Sequence, residues 1–479
     1  MRKLVLNKVI TGRRRLYLEL ASMYLDGTIK DEIPKLPAKL IPEEHGEGRI
    51  RVFYEREIMK EKIKYALCLD HSKVKNLELY EIKDELDSIL DGDSELIDRE
   101  KEIDIIDKVC NECPGGRFYV TDLCRNCVAR SCMSSCPKNA IKLVGGKVSI
   151  DQNLCVKCGM CEKACPYHAI MKLGTPCELA CGASALQRKD EGTMSVKQDN
   201  CVSCGACYVE CPFGAIETPS QMMQVLHKIE SKEEVIAIFA PAAVAQFGRM
   251  VNMNQFKEAL VEFGFASAVE VTVGADIVAE KEAQHLLDHP DETMLTSCCP
   301  SFVSHIRKNH EQLADMISPV ASPMIETYLK IKEENPNAKV VFIGPCISKK
   351  KEARENTMPD YVITFEEMAS LFAAKKIEPG EMKGFDLSDS TSEAWKFASS
   401  GGVTNAVVHY LKELTGKDTV QINAEIANGL KECDSKLKEI KNKKICPNVL
   451  EGMACFGGCI SGPGVLIDPK IANISLKKM

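Results

Sequence analysis

Nothing in this chain is apolar for long enough to cross a membrane. Its first residues, MRKLVLNKVITGRRR, hold a very short apolar run broken by Lys8, and no longer run follows. Neither a secretory core nor a membrane span is predicted, and a cytoplasmic location is the expectation. An excess of positive charge is missing too: 62 basic residues stand against 69 acidic ones, a formal net charge of −7. No general attraction to nucleic acid or to an anionic membrane is expected. A glycine-rich dinucleotide fingerprint after a strand is also absent, as is a flavin motif, which argues against NAD(P)H as a direct electron donor.

What the chain has is cysteine. There are 24, and 14 of them fall between positions 124 and 211. A chain of 479 residues with no export signal is a poor candidate for a disulfide framework. The segments CRNCVARSCMSSCPKNAI (124–141), CVKCGMCEKACPYHAI (155–170) and CVSCGACYVECPFGAI (201–216) are three copies of one unit. Its spacing is the bacterial ferredoxin run that holds [4Fe–4S] cubanes, which favours iron–sulfur over zinc.

In two-cluster ferredoxins the fourth cysteine of each run ligates the other cluster. That rule assigns Cys124, Cys127, Cys132 and Cys165 to one cubane, and Cys155, Cys158, Cys161 and Cys136 to the next. The third run needs a partner, and CNEC (Cys110, Cys113) with CELACGASAL (Cys177, Cys181) supplies it in two pieces. The expected sets are Cys201, Cys204, Cys207 with Cys181, and Cys110, Cys113, Cys177 with Cys211. One ferredoxin unit is thus inserted into another, and the relay has four [4Fe–4S] clusters.

Three regions are expected. Residues 1–105 read as helical, with three-to-four apolar spacing in YEREIMKEKIKYALCL and in IKDELDSILDGDSELIDREKEIDIIDKVC, whose tail runs into the next region. Residues 106–220 are the nested ferredoxin-like domains. Residues 221–479 alternate strands (VIAIFAP, SAVEVTVG, TMLTS, KVVFIGP) with helices (ADIVAEKEAQHLLDH, GGVTNAVVHYLKEL). The fold class is therefore multidomain, α/β with α+β parts, and sites are expected at the carboxyl ends of mostly parallel strands.

Beyond the relay, three short motifs carry cysteine: TSCCPSF, GPCISKKKEA and EGMACFGGCISGPG. One more four-cysteine cluster fits them, taking one thiol of Cys298 and Cys299, then Cys346, Cys455 and Cys459. A spacing of four predicts Cys455 and Cys459 on one helical face. Buried structural cysteines are the plainer alternative. Cys68 reads as a buried small hydrophobe; Cys433 and Cys446 have no assignment, and a packed residue before Pro447 is the plain option for Cys446.

These motifs resemble the three signatures of [FeFe]-hydrogenases over roughly residues 230–465, following a ferredoxin-type relay as in that family. The resemblance implies a catalytic domain of two α/β lobes. It also implies an H-cluster, a cubane joined to a di-iron subsite with CO, CN⁻ and an azadithiolate. Cys299, Cys346, Cys455 and Cys459 would hold the cubane, Cys459 bridging, while Cys298 stays a free thiol that passes protons. Glu282 and Ser318 match relay positions, and His285 stands where the family has a further glutamate. Taken alone, Glu282 and His285 read as solvated helix residues. Lys349 matches the lysine that holds one cyanide, with Glu352 near it; Lys350 and Lys351 read as surface lysines. Pro241, Pro323 and Met453 match pocket-lining positions.

Departures from the family pattern are Ala242 for a serine, Gly344 for a methionine, Met324 for a glutamine, Phe302 for a tryptophan, and CISGPG for a glycine-rich tail. They resemble the divergent group B and imply altered potential, bias or oxygen response. The expected enzyme interconverts protons, electrons and H₂. Its partners would be an external ferredoxin-like carrier and maturation proteins for the di-iron site. A slow H₂ or redox sensor and a non-enzymatic iron–sulfur assembly scaffold are the rival functions.

Overall fold

A strand without polar alternation needs cover on both faces. Val235–Phe239 is buried at all five positions, and Lys339–Gly344 at all but the first. The computed structural model describes residues 6–43, 49–111, 113–417, 419 and 422–479. In it these strands are neighbours in a four-stranded parallel sheet of order Ser267–Glu270, Val235–Phe239, Lys339–Gly344, Tyr361–Thr364. A second parallel sheet runs Met294–Leu295, Val449–Met453, Ala424–Asn428.

The run SAVEVTVG is only half strand. Pairing stops at Glu270, and helix Thr272–Asp288 begins two residues on. Gly274 is the reason this helix fits: a Cβ there would lie 2.2 Å from the Pro323 carbonyl and 2.4 Å from Thr327 Oγ1. Helix Thr272–Asp288 therefore packs close against Pro323–Glu334, with Gly402–Thr415 on another side.

Helix Lys8–Leu25 starts where the Asn7 side chain accepts from the Val9 and Ile10 N–H groups, each at 3.0 Å. Leu16, Leu20, Ile33 and Leu36 share one core with Val235–Phe239. Buried Arg13 reaches Glu366 at 2.7 Å and lies 4.3 Å over the Tyr208 ring, so this helix touches both the cysteine-rich block and the helix Phe365–Lys375 that follows the sheet's last strand. The helical pattern expected after position 82 is cut short. Helix Leu86–Asp91 ends at Gly92, whose φ of +88° is left-handed, and the chain runs on to the strand Asp104–Ile105.

That strand pairs with Ile216–Glu217 and so brackets the cysteine-rich block. Inside it, residues 117–173 form a unit with its own small core of Phe118, Ile141, Val148, Ile150, Cys161 and Ile170. Its hairpin Ile141–Ile150 and its strand pair Arg117–Val120 with Ile170–Leu173 are antiparallel. The four motif tails repeat to the atom. Cys136, Cys165, Cys181 and Cys211 each accept at sulfur from the N–H four residues on, at 3.2–3.4 Å. Three residues after each, Asn139, His168, Ser184 and Gly214 all have φ between +48° and +61°. Gly182 in place of proline leaves this turn unchanged.

Candidate active site between the two sheets

Four segments leave the carboxyl ends of strands from both sheets and meet. They are Ala240–Ala242 after Phe239, Thr296–Ser301 after Leu295, Pro345–Cys346 after Gly344, and Ala454–Cys459 after Met453. The switch between crossing strands is where α/β folds open a crevice. Cys298, Cys299, Cys346, Cys455 and Cys459 all line one cavity there. Each thiol is half-buried, its accessible part facing the cavity, and otherwise surrounded by protein. Pro241, Ala242, Pro323, Met324, Phe342 and Met453 supply most of the remaining wall. It is apolar and holds one cation, Lys349.

Cys455 and Cys459 do not sit on an α-helix. Gly457 and Gly458, with φ of +94° and +92°, turn the chain, and a short 3₁₀ segment begins at Cys459. A Cβ at Gly458 would lie 2.6 Å from the Ala398 carbonyl, so glycine alone permits this approach. The turn, rather than helical period, brings the two thiols to one cavity.

Burial pushes these thiols up, Cys346 and Cys459 to about 12, and each is raised further by its neighbours. Backbone N–H groups of Ser348 and Lys349 face Cys346, and those of Ser301, Phe302 and Ala454 face Cys299. Helices beginning at Pro300, Pro323 and Ser348 present their positive ends nearby. Converging thiols, no disulfide, no cavity carboxylate and inward-facing N–H dipoles suit a thiolate-held iron–sulfur cluster.

Lys349 Nζ donates to Ser322 Oγ at 2.8 Å and to Glu352 Oε2 at 2.6 Å, which leaves one N–H for the cavity. Burial opposes its charge, but Glu352 and the surrounding thiols hold its pKa above the ordinary value. Lys350 departs from the surface reading: it is buried, donating to the Pro219 carbonyl at 2.7 Å and to Glu367 at 3.2 Å. Lys351 is half-buried and donates to Ser304 Oγ at 3.0 Å.

Glu282 also departs from the solvated reading. It is 0% exposed and burial lifts its pKa to about 7, with buried Glu451 adding to the rise. Neither carboxylate oxygen closes a hydrogen bond of standard geometry. The Ser318 hydroxyl and the Ser297 N–H are the dipoles that favour its ionised form. Ser318 is buried, its N–H held by the Leu295 carbonyl at 2.8 Å. His285 is half-buried one turn on, its ring 4.7 Å from His289. Cys298 is raised by burial first and by Glu282 second, which identifies the two as electrostatic neighbours.

The departures have local causes. A side chain at Gly344 would meet the Phe342 ring at 2.4 Å, and Phe342 fills that wall. Phe302 is fully buried over Gly452, whose added Cβ would lie 2.4 Å from the ring. Ala242 leaves its part of the wall without a hydroxyl.

Sequence reading missed Ser322, Phe342, Glu451 and the place of Cys204 in the cavity wall. Ser322 could have been found as the residue capping a helix that starts with proline. Glu451 accepts from the Gly401 N–H at 2.6 Å and from the Thr404 N–H at 2.9 Å, a contact no local pattern announces. Cys204 lines the same cavity as Cys299 and Cys455, so the cysteine-rich block reaches the site wall. Cys433 is buried, its thiol 3.7 Å from the Ala427 and Met453 carbonyls, Cys68 is buried, and Cys446 is exposed rather than packed.

The thiols of the cysteine-rich block also gather. Cys124, Cys127, Cys132 and Cys165 line one small cavity. Cys136 and Cys155 act on Cys161, Cys181 acts on Cys201, Cys204 and Cys207, and Cys110 and Cys211 act on Cys113 and Cys177. Cys158 is exposed.

Residues 233–463 match the family described as iron only hydrogenase large subunit, C-terminal domain. Residues 148–171 and 194–217 match 4Fe-4S binding domains. Iron hydrogenase 1 of Clostridium pasteurianum is 27% identical over 73% of this chain and 71% of its own. The periplasmic [Fe] hydrogenase large subunit of Nitratidesulfovibrio vulgaris is 26% identical over 68% of this chain and 87% of its own. A solved apo [FeFe]-hydrogenase of Chlamydomonas reinhardtii aligns with a TM-score of 0.45 and 21% identity, covering 54% of this chain and 88% of that one. The chain is an [FeFe]-hydrogenase-like protein with 4Fe-4S binding motifs. No helix among the described residues is long and apolar enough to cross a membrane.

Proposed function

We propose that this chain is an enzyme that interconverts protons, electrons and H₂ in either direction. The observation that carries the reading is the meeting of Cys299, Cys346, Cys455 and Cys459 at one apolar cavity with an unmatched fifth thiol, Cys298. In this reading residues 221–479 are the catalytic domain, 106–220 the relay and 1–105 a helical cover. The four thiols hold a cubane, Cys459 also holds a di-iron subsite carrying CO, CN⁻ and azadithiolate, and the sixteen relay cysteines hold four further cubanes in the sets assigned above. That H-cluster supplies the redox chemistry of H₂.

The chain's own residues place, shield and deliver. Pro241, Pro323, Met324, Phe342 and Met453 keep bulk water from the cavity. Lys349, fixed by Ser322 and Glu352, offers its remaining N–H to an anionic ligand. Cys298 holds the proton nearest the site. Glu282, poised near neutrality by burial, exchanges it, and Ser318 and His285 continue the path outward. Electrons enter through residues 117–173. These carry nine basic residues against three acidic ones, a net +6 in a chain of net −7, which suits an acidic, low-potential carrier such as a ferredoxin.

Infrared spectroscopy of protein matured anaerobically with di-iron assembly enzymes tests this. Bands from CO and CN⁻, with about twenty-two irons per chain (five cubanes and two further irons), are expected. No such bands would leave an assembly scaffold. Bands with very slow turnover would leave a sensor. About fourteen irons, three cubanes and the two further irons, would remove the two inner relay clusters.

A further inference from the structure

Outside the cavity, helix Pro300–Asn309 and helix Leu430–Lys441 meet at a second cluster of metal-type donors. His305 and His310 are 2% and 4% exposed, and their rings lie 5.3 Å apart in an edge-on pair. Both turn Nε2 toward one carboxylate oxygen: Asp434 Oδ1 is 3.3 Å from His305 Nε2 and 2.9 Å from His310 Nε2. One donor atom from each of the three residues lies within 4.8 Å of the others. Asn309 Nδ2 is 3.1 Å from His305 Nδ1, and Lys438 Nζ holds the other Asp434 oxygen at 2.5 Å.

We propose that His305, His310 and Asp434 form a divalent-cation site of the two-histidine, one-carboxylate type, separate from the iron–sulfur cysteines. In a four-coordinate site with bonds of about 2.0–2.1 Å, neighbouring ligands stand roughly 3.3 Å apart. Two of the three edges, 2.9 and 3.3 Å, already have that size, and the third, between the two imidazoles, is within 4.8 Å. Two imidazoles and a carboxylate suit Zn²⁺ and its first-row neighbours. Asn309, on the opposite ring nitrogen, orients His305 through its amide oxygen once Nε2 binds metal. Asp434 is half-buried and leaves a side open for water or another donor.

The consequence is mechanical. Cys299 caps the first of these helices, and the second packs on Val449–Met453, the strand that leads to Cys455. An ion at this junction braces two of the thiol-bearing segments from outside. The site stands independently of the proposed reaction.

The test uses the cluster-loaded protein, purified without oxygen, incubated with Zn²⁺ and desalted. Zinc and iron are then counted by mass spectrometry, and the zinc shell is read by X-ray absorption. About one zinc per chain with only nitrogen and oxygen neighbours is expected. His310→Gln and Asp434→Asn should each lower zinc retention about tenfold or more, with iron per chain unchanged. Zinc below roughly a tenth of an equivalent in the wild type, or a sulfur shell around it, overturns the proposal. So does zinc retention in either variant equal to that of the wild type. If a variant fails to fold, the wild-type count and shell still decide.

Discussion

The thiols of residues 117–173 and those of the cavity are the same functional group in opposite settings. The outer unit is small, its core is six residues, and Val128 beside Cys127 is 99% exposed. Its surroundings are basic, and Cys158 opens to solvent. The cavity thiols lie between two parallel sheets behind apolar walls, with one lysine and no carboxylate on the wall. Under the proposed function the contrast is a division of labour. An electron needs only a short distance to an approaching carrier, so its entry can be exposed and charged. Proton chemistry needs groups whose protonation is set by burial, which demands a deep site built from several strands.

The comparison breaks most sharply at Cys298. Cys298→Ala should leave the infrared bands and iron content intact while H₂ production falls by about 10²–10⁴-fold, the usual worth of a positioned proton donor. Activity near wild type would show that burial at this thiol has no catalytic use. Glu282→Gln keeps the shape and should cost about 10²-fold.

That variant also sharpens the comparison through pH. Glu282 has a folded pKa of about 7, above its unfolded value, so the folded state binds the extra proton. Its contribution to stability is full below about pH 4.5 and is lost as pH rises through 7, in all about 3 kcal/mol. Denaturant melts at pH 5 and 7.5 should show this loss in the wild type and not in Glu282→Gln.

In the outer unit the reverse pattern is expected. Arg125→Glu with Lys142→Glu should raise KM for an acidic protein carrier about tenfold, chiefly at low salt. Turnover with a small viologen dye should stay unchanged. The smallest effect belongs to the wall itself. Ala242→Ser adds one hydroxyl, which should shift a CN⁻ band and change stability by no more than about 1 kcal/mol.

Local chemistry was legible where ligand geometry is local. The run of cysteines three apart followed by Cys-Pro carries its own turns, and the four tails ending at Ala140, Ala169, Ala185 and Ala215 share one hydrogen bond and one left-handed residue. The strand before each site motif was legible as well, because a strand buried on both faces must be apolar throughout. Lys350 was not: in KKK nothing distinguishes the lysine that pairs with Glu367 from its neighbour. Glu282 looked solvated because its burial comes from other helices packed around its own. Cys455 and Cys459 have helical spacing, yet the two intervening glycines make a turn.

The sequence by itself determined that this is an iron–sulfur protein with a ferredoxin-type repeat and a hydrogenase-like set of three motifs, because those signals are written in residue type and short spacing. Only the tertiary structure decided which thiols face one cavity, which lysine is held by Ser322 and Glu352, and which carboxylate is kept near neutrality. The reason is that burial and convergence belong to the packing of distant segments. No window of neighbouring residues contains the dielectric in which its own side chains will sit.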